Sequence, residues 1–253
     1  MTIGALIIGD EILSGKRQDK HLAHLIDALR TRGLRLDWAH YDGDDRGRLI
    51  AMLRRSFATG DIVFSFGGVG ATPDDHTRQA AAAALGVDLI RHPEAVAEIE
   101  AQFGAAAYPN RILMAEFPAG SRIIPNPVNR VASFSIRKHH FFPGFPQMAW
   151  PMLDWVLATD YAALASTPED ERAIVVHGAG ESQLLPLMND NVARFPQLKL
   201  FCLPSLLTEG RRLELGVRGD PALLDAALAH LVAGVDAAGF RWEPLERQQD
   251  GAK

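Results

Sequence analysis

A single cysteine, Cys202, is all that the 253-residue sequence contains. A disulfide framework and a cysteine-rich zinc site are thereby excluded within one chain. No apolar run approaches the roughly 20 residues that a membrane-crossing helix needs. Basic residues are not in surplus either: 26 Lys and Arg stand against 31 Asp and Glu, for a net charge of −5 and a pI near 6.0. That balance argues against an unspecific grip on nucleic acid or anionic lipid. Met1-Thr2 leads almost directly into an apolar run, with no basic segment and no cleavage site, so a cytoplasmic protein is expected. What is present is an ordinary globular composition, 47% hydrophobic and 23% charged, enough for one large domain or two modest ones.

Apolar periodicity alternates between strand and helix along the first two thirds of the chain. Ile3 to Ile8 is continuously apolar and closed by Gly9-Asp10, as suits a strand buried on both faces. Leu22, Leu25, Ile26 and Leu29 follow at helical spacing, with Gly33 as the stop. Leu34 to Tyr41 alternates as a second strand. Asp45 caps a helix carrying Leu49, Met52 and Leu53 and ending near Gly60. Asp61 to Phe66 is a third strand, and a helix runs from about His76 to Leu85. Such alternation predicts parallel β-α-β units in a doubly wound α/β sheet. A helix near Glu94–Phe103, strands at Arg122–Ile124, Val131–Ile136 and His139–Phe142, and a helix over Met148–Leu157 complete this part.

Thr159 to Glu171 is a poorer stretch that resembles a linker, so we place a boundary between residues 1–163 and 164–253. The second part predicts a small α+β module. Its strands are Arg172–His177, Lys199–Leu203 and Arg212–Val217. One helix, over Glu181–Phe195, is bent or broken at Pro186; the other is capped by Asp220 and ends near Ala238. Arg247 to Lys253 is expected to be a frayed tail, and Trp242 to cover an edge.

Three loops carry the chemistry. Phe66–Thr77 reads FGGVGATPDDHT, with Gly67, Gly68 and Gly70 directly after a buried strand, where ligands bind in open α/β sheets. Glycines let the backbone approach an anion, and the next helix's amides can donate to it. Asp74 and Asp75 either cap that helix or hold a divalent cation beside a phosphate. The plainer alternative is a tight turn with a capping aspartate. A Rossmann fingerprint is excluded by Pro73 at the place of its third glycine. A P-loop is excluded by the five residues between Gly9 and Gly15 and by Arg17 after Lys16. The second loop, GDEILSGKRQDKH, offers Asp10, Glu11, Ser14, Gly15, Lys16 and Arg17, although Arg17 and Lys20 individually fit an ordinary charged surface. The third is Asp42-Gly43-Asp44-Asp45. All three loops follow parallel strands and so converge on one sheet edge. His21 and His24 share a helix face without a third ligand. His139 and His140, adjacent on a strand, point to opposite faces.

Taken together, GDEILSGKRQDKH, GGVGATPDDHT, Pro125–Val128 (PNPV) and Phe142–Pro146 (FPGFP) resemble, in collinear order over residues 3 to 158, the molybdopterin-binding fold. That fold occurs in molybdopterin adenylyltransferase, gephyrin and the N-terminal part of competence/damage-inducible protein A (CinA). The resemblance implies that Gly67, Gly68 and Gly70 hold a pterin or nucleotide phosphate, as in molybdenum cofactor biosynthesis. It implies that Asp75 and Asp44 are the functional acids placing Mg²⁺. Asp10, Glu11, Ser14, Gly15, Asp74, Pro143 and Gly144 would line the ligand. Several residues depart from the pattern: Val69 for Thr, Ala71 for Pro, and Asn129-Arg130-Val131-Ala132 for GTAPG. Arg130 is accordingly a candidate partner for a phosphate. The part from 164 onward resembles, more loosely, the KH-like module that follows this domain in CinA. The C-terminal amidase domain of CinA has no counterpart here, so its activity is not carried over.

These features imply a soluble, homo-oligomeric protein that binds a small phosphorylated ligand with a divalent metal. One alternative is a metal-dependent pyrophosphatase on ADP-ribose-like dinucleotides or a nucleotidyl transferase, in which the metal polarises phosphorus under attack. Another is a non-catalytic ligand sensor or assembly protein. Binding of RNA by the module is disfavoured, because a KH domain clamps its target with a GXXG loop and this segment offers only Gly178-Ala179-Gly180. From Leu164 onward nine Lys and Arg face thirteen Asp and Glu, which also repels a phosphate backbone.

Overall fold

The computed structural model describes residues 1–166, 170–207 and 210–245. The chain divides into two compact units, Met1–Thr167 and Pro168–Lys253. In chain order the first contains β1 (Ile3–Ile8), α1 (Asp10–Leu13), α2 (His21–Arg30), β2 (Trp38–Asp42), α3 (Arg46–Thr59), β3 (Ile62–Phe66) and α4 (Thr77–Leu85). β4 (Leu89–Arg91), α5 (Pro93–Phe103), β5 (Glu116–Pro118), β6 (Arg122–Ile124), β7 (Ser133–Ile136), β8 (His139–Phe142) and α6 (Pro146–Asp160) follow. The main sheet has the order β2-β1-β3-β8-β7-β6. Its β2-β1-β3-β8 portion is parallel, and β7 pairs antiparallel with both β8 and β6. The sheet is therefore mixed and mostly parallel, as the α-β alternation requires.

Period-2 geometry sorts the side chains of β1. Ile3, Ala5 and Ile7 join Leu25 and Leu29 of α2 and Met152, Leu153, Val156 and Leu157 of α6 on one face. Leu6 and Ile8 join Leu49, Met52 and Leu53 of α3, Ala80 and Ala81 of α4 and Ile99 of α5 on the other. All six residues of β1 are buried, which explains why this strand is a continuous apolar run. Burying each such large aliphatic or aromatic side chain contributes about 1.5–3 kcal/mol. Asp45 caps α3 as expected, accepting from the Arg48 amide, and Gly60 ends it in the left-handed region at φ 74°.

Some expectations are corrected. Leu34–Asp37 precedes the second strand instead of forming part of it. Leu34 and Leu36 alternate because they pack on the α2–α6 core, while the Asp37 carboxylate accepts from the Ile3 amide. β7 begins at Ser133, two residues after Val131. The paired strands β4 and β5, three residues each, lie where no strand was expected. The stretch taken as a linker is largely structured: α6 reaches Asp160, a 3₁₀ turn covers Ala162–Leu164, and β9 starts at Asp170. Ser166 belongs with the first unit, its amide bonded to the Arg32 carbonyl and its hydroxyl to that of Gly33.

The second unit runs β9 (Asp170–His177), α7 (Glu181–Arg194), β10 (Lys199–Leu207), β11 (Gly210–Gly219), α8 (Pro221–Ala237) and β12 (Arg241–Pro244). These strands form an antiparallel sheet of order β10-β11-β9-β12. Helix α7 continues through Pro186 unbroken. Trp242 lies within β12, opposite Val176, and packs on the module's core. The expected tail, Arg247–Lys253, lies outside the described residues. No helix among the described residues is long and apolar enough to cross a membrane.

Candidate functional site

The C-terminal ends of β1, β3 and β8 open onto a cleft of about 490 Å³ within the first unit. Its floor is the turn that leaves β3. Gly67 and Gly68 have φ of 101° and 66°, a region that a side chain enters only with strain. A methyl on Gly67 would collide with the Ile8 carbonyl oxygen, and one on Gly68 with Thr77 Oγ1. The turn's carbonyls are held from behind by α4. Thr77 Oγ1 donates to Gly67 O at 3.1 Å, the Thr77 amide to Gly68 O at 2.9 Å, and Arg78 Nη2 to Gly70 O at 2.6 Å. Gly67 N donates to Phe142 O, but the amides of Gly68, Val69, Gly70 and Ala71 donate to no described acceptor. Four consecutive free amides over carbonyls pinned on the reverse side form a concavity suited to an anion.

Acidic groups border this turn. Asp75 Oδ2 accepts from the Thr72 amide and hydroxyl, which closes the turn on itself. Across the cleft, Asp10 and Asp44 clasp the loops after β1 and β2. The Asp10 amide donates to Asp44 Oδ2 at 2.9 Å and the Asp44 amide to Asp10 Oδ1 at 3.2 Å. Burial pushes the Asp44 carboxyl up; the Asp10 amide opposes this, and the negative charges of Asp10, Glu11 and Asp74 add to it. Arg17 is the one cation among the residues lining this cleft. The remaining wall is largely apolar: Phe103, Met114, Val131, Met148 and Phe145. A second cavity of about 350 Å³ adjoins it, sharing Ile8, Glu11, Arg17, Gly144 and Phe145.

Of the residues singled out in the sequence, Glu11, Asp44, Gly67, Gly68, Gly70, Asp74, Asp75, Pro143 and Gly144 line the larger cleft. Asp10 does not line it but holds Asp44 in place. Ser14 and Gly15 line neither cavity: Ser14 ends the short helix α1 and Gly15 faces open space. Arg130 is also corrected as a phosphate partner. Its guanidinium makes two bonds to Glu98, at 2.7 and 3.1 Å, and stands outside the cleft. The loop that departs from the CinA pattern does line the cleft, through Asn129, Val131 and Ala132. Among the described residues no three His, Cys, Asp or Glu side chains converge closely enough to hold a metal ion. Sequence reasoning passed over Arg17 as an individual residue and missed Arg78 altogether. The pattern around Arg78, a charged residue in the first turn of an alanine-rich helix, gives no sign that it is buried.

The four histidines singled out in the sequence have structural contacts. His21 stacks on Phe66 and His24 on Trp150. His139 and His140 do point to opposite faces. His139 bonds to Ser56, and His140 bonds to Ser135 and Tyr161.

A sequence model of the family described as probable molybdopterin binding domain matches residues 4–163. The chain belongs to this family. The molybdopterin-binding-domain match covers β1 through α6, the elements that build the cleft. The chain is also 34% identical over 197 residues to a CinA-like protein of Anaeromyxobacter sp. strain Fw109-5, covering 73% of this chain and 48% of that protein. It is 35% identical over 213 residues to a CinA-like protein of Desulforapulum autotrophicum, covering 79% and 50%. It thus spans about half the length of these curated relatives. Among solved structures, the CinA protein of Thermoplasma acidophilum, described as having unknown function, superimposes with a TM-score of 0.57 at 28% identity. That match covers 62% of this chain and 96% of the other.

Proposed function

We propose that the first unit binds a pterin or nucleotide through its phosphate, seated on the turn Gly68–Ala71. The row of four free amides carries this reading. Arg17 supplies a charged contact from the opposite loop. The apolar wall of Phe103, Met114, Val131 and Met148 offers the planar part of such a ligand a surface to cover. The matching family, whose members are described as probable molybdopterin-binding domains, supports the same ligand class.

The acids fit a divalent cation only as an ion shared with the ligand. Asp44 and Asp75 each retain one oxygen, Oδ1, that accepts no hydrogen bond from a described residue. Burial raises the Asp44 pKa most, and the neighbouring charges of Asp10, Glu11 and Asp74 add to it; a cation would relieve both. With no third protein ligand among the described residues, phosphate oxygens and water would have to complete the shell, as would suit Mg²⁺. Such an ion would supply Lewis-acid polarisation of the phosphate. In this reading Asp10 orients Asp44 and Thr72 orients Asp75.

The test is a thermal-shift series with Mg²⁺ or Mn²⁺ and molybdopterin precursors, ATP, ADP-ribose or FAD, each assayed in parallel for released AMP or phosphate. A ligand bound to the folded state raises the melting temperature by mass action. The expected result is a metal-enhanced shift that is lost in Gly68→Ala. Release of AMP with the shift assigns a phosphoanhydride enzyme; a shift without turnover assigns a binding protein. No shift with any of these ligands refutes the proposal.

A further inference from the structure

We propose that Arg78 is the buried counter-charge of the ligand anion, a positioning residue that makes the turn Gly68–Ala71 selective for highly charged phosphate groups. This rests on the phosphate-binding reading above.

Arg78 is 2% exposed. Arginine is almost never so deeply buried without an acidic partner, because desolvating its charge is costly. Here the guanidinium makes no ion pair among the described residues and bonds only to backbone carbonyls. Nη1 donates to Leu113 O at 2.5 Å and to Glu116 O at 3.0 Å, and Nη2 donates to Gly70 O at 2.6 Å. Its Nε is buried with no acceptor. The carboxylates of Glu116 and Asp75 act on it only from beyond ion-pair distance, and both are engaged elsewhere, with Arg91 and Thr72. A full positive charge therefore lies behind the glycine turn without a direct partner.

The carbonyls that Arg78 grips decide what that charge does. Gly70 belongs to the turn, and Leu113 flanks Met114 of the cleft wall. Arg78 thus ties two walls of the cleft together. By binding the Gly70 carbonyl it also polarises the Gly70–Ala71 peptide group, whose Ala71 amide donates to no described acceptor. A bound phosphate completes the arrangement, its charge offset by a guanidinium that it never touches. This separates Arg78 from Arg17, which is exposed on the cleft rim and meets the ligand directly. The offset grows with ligand charge, so pyrophosphate gains more than inorganic phosphate.

The experiment is titration calorimetry of the intact chain with pyrophosphate and with inorganic phosphate, for the wild type, Arg78→Lys and Arg78→Met. We expect Arg78→Met to weaken pyrophosphate on the order of tenfold and phosphate less. Arg78→Lys, which keeps the charge and loses the fork, should retain most of the preference for pyrophosphate. Equal weakening of both ligands in Arg78→Met would mean that Arg78 is only structural and would overturn the proposal, as would unchanged affinity. Should the variants not fold, the wild type still decides. The Arg78 guanidinium NMR signals must shift on adding pyrophosphate, and signals that do not move overturn the inference. If pyrophosphate fails to bind the wild type at all, the phosphate-binding reading fails first, and the result is distinguishable on that ground.

Discussion

Gly67, Gly68 and Arg78 carry the site's geometry at the scale of single residues. Gly67→Ala forces a side chain to φ 101° and into the Ile8 carbonyl. We expect it to lower stability by about 1–3 kcal/mol, read from urea denaturation, and to abolish the ligand-induced thermal shift. The buried histidines give a prediction of another kind. Burial lowers the His139 pKa to about 3, with His140 adding to the effect, and burial lowers that of His140 to about 4. The unfolded chain takes up these protons near the ordinary value of 6.5, whereas the folded chain resists them. The contribution of these two histidines is therefore constant above about pH 6.5 and falls as the pH drops, by at most about 1.4 kcal/mol per pH unit for each. The loss levels off below about pH 4 for His140 and about pH 3 for His139. In His139→Gln the slope of stability between pH 4 and 6 should shrink; an unchanged slope contradicts the assignment. The glycine cluster was legible as a turn directly after a buried strand, and Asp44 and Asp75 were legible as candidate functional acids only through the family resemblance. Arg78 was not, since a sequence shows charge but not burial.

Elements were legible where a period had room to repeat. Strand β1 and helices α3 and α4 lie within a residue or two of their expected bounds. Asp45 announced the start of α3 through its capping chemistry, and Asp45→Ala should cost about 1 kcal/mol, measured by thermal or urea unfolding. Strands β4, β5 and β12, of three or four residues, carry no readable period and follow only from their pairing partners. Leu34 and Leu36 show the opposite failure, in which alternation arises from packing against α2 and α6 without strand pairing. The loops after β1 and β2 are coupled by the reciprocal Asp10–Asp44 bonds, which no sequence pattern reveals. Asp44→Asn keeps an oxygen for the Asp10 amide while removing the charge. It should eliminate the Mg²⁺-dependent part of a ligand's thermal shift and leave metal-free pyrophosphate binding equal or tighter. A full Mg²⁺ effect in this variant would remove Asp44 from the cation's shell.

For the molecule as a whole, order of elements was the strongest signal. Alternating strands and helices required parallel pairing, parallel pairing placed three loops at one sheet edge, and the cleft lies there. The poor composition of Thr159–Glu171 places the boundary between residues 163 and 164. The contacts divide the chain at Thr167–Pro168 instead, because Ser166 is tied to the first unit by bonds to Arg32 and Gly33. That the four free amides of Gly68–Ala71 form the phosphate seat is the reading on which the whole site depends. It is tested most directly by backbone amide NMR of the intact chain during titration with pyrophosphate. The largest shifts are expected on Gly68, Val69, Gly70 and Ala71. Amides there that stay unmoved while pyrophosphate binds elsewhere, or does not bind, would contradict it.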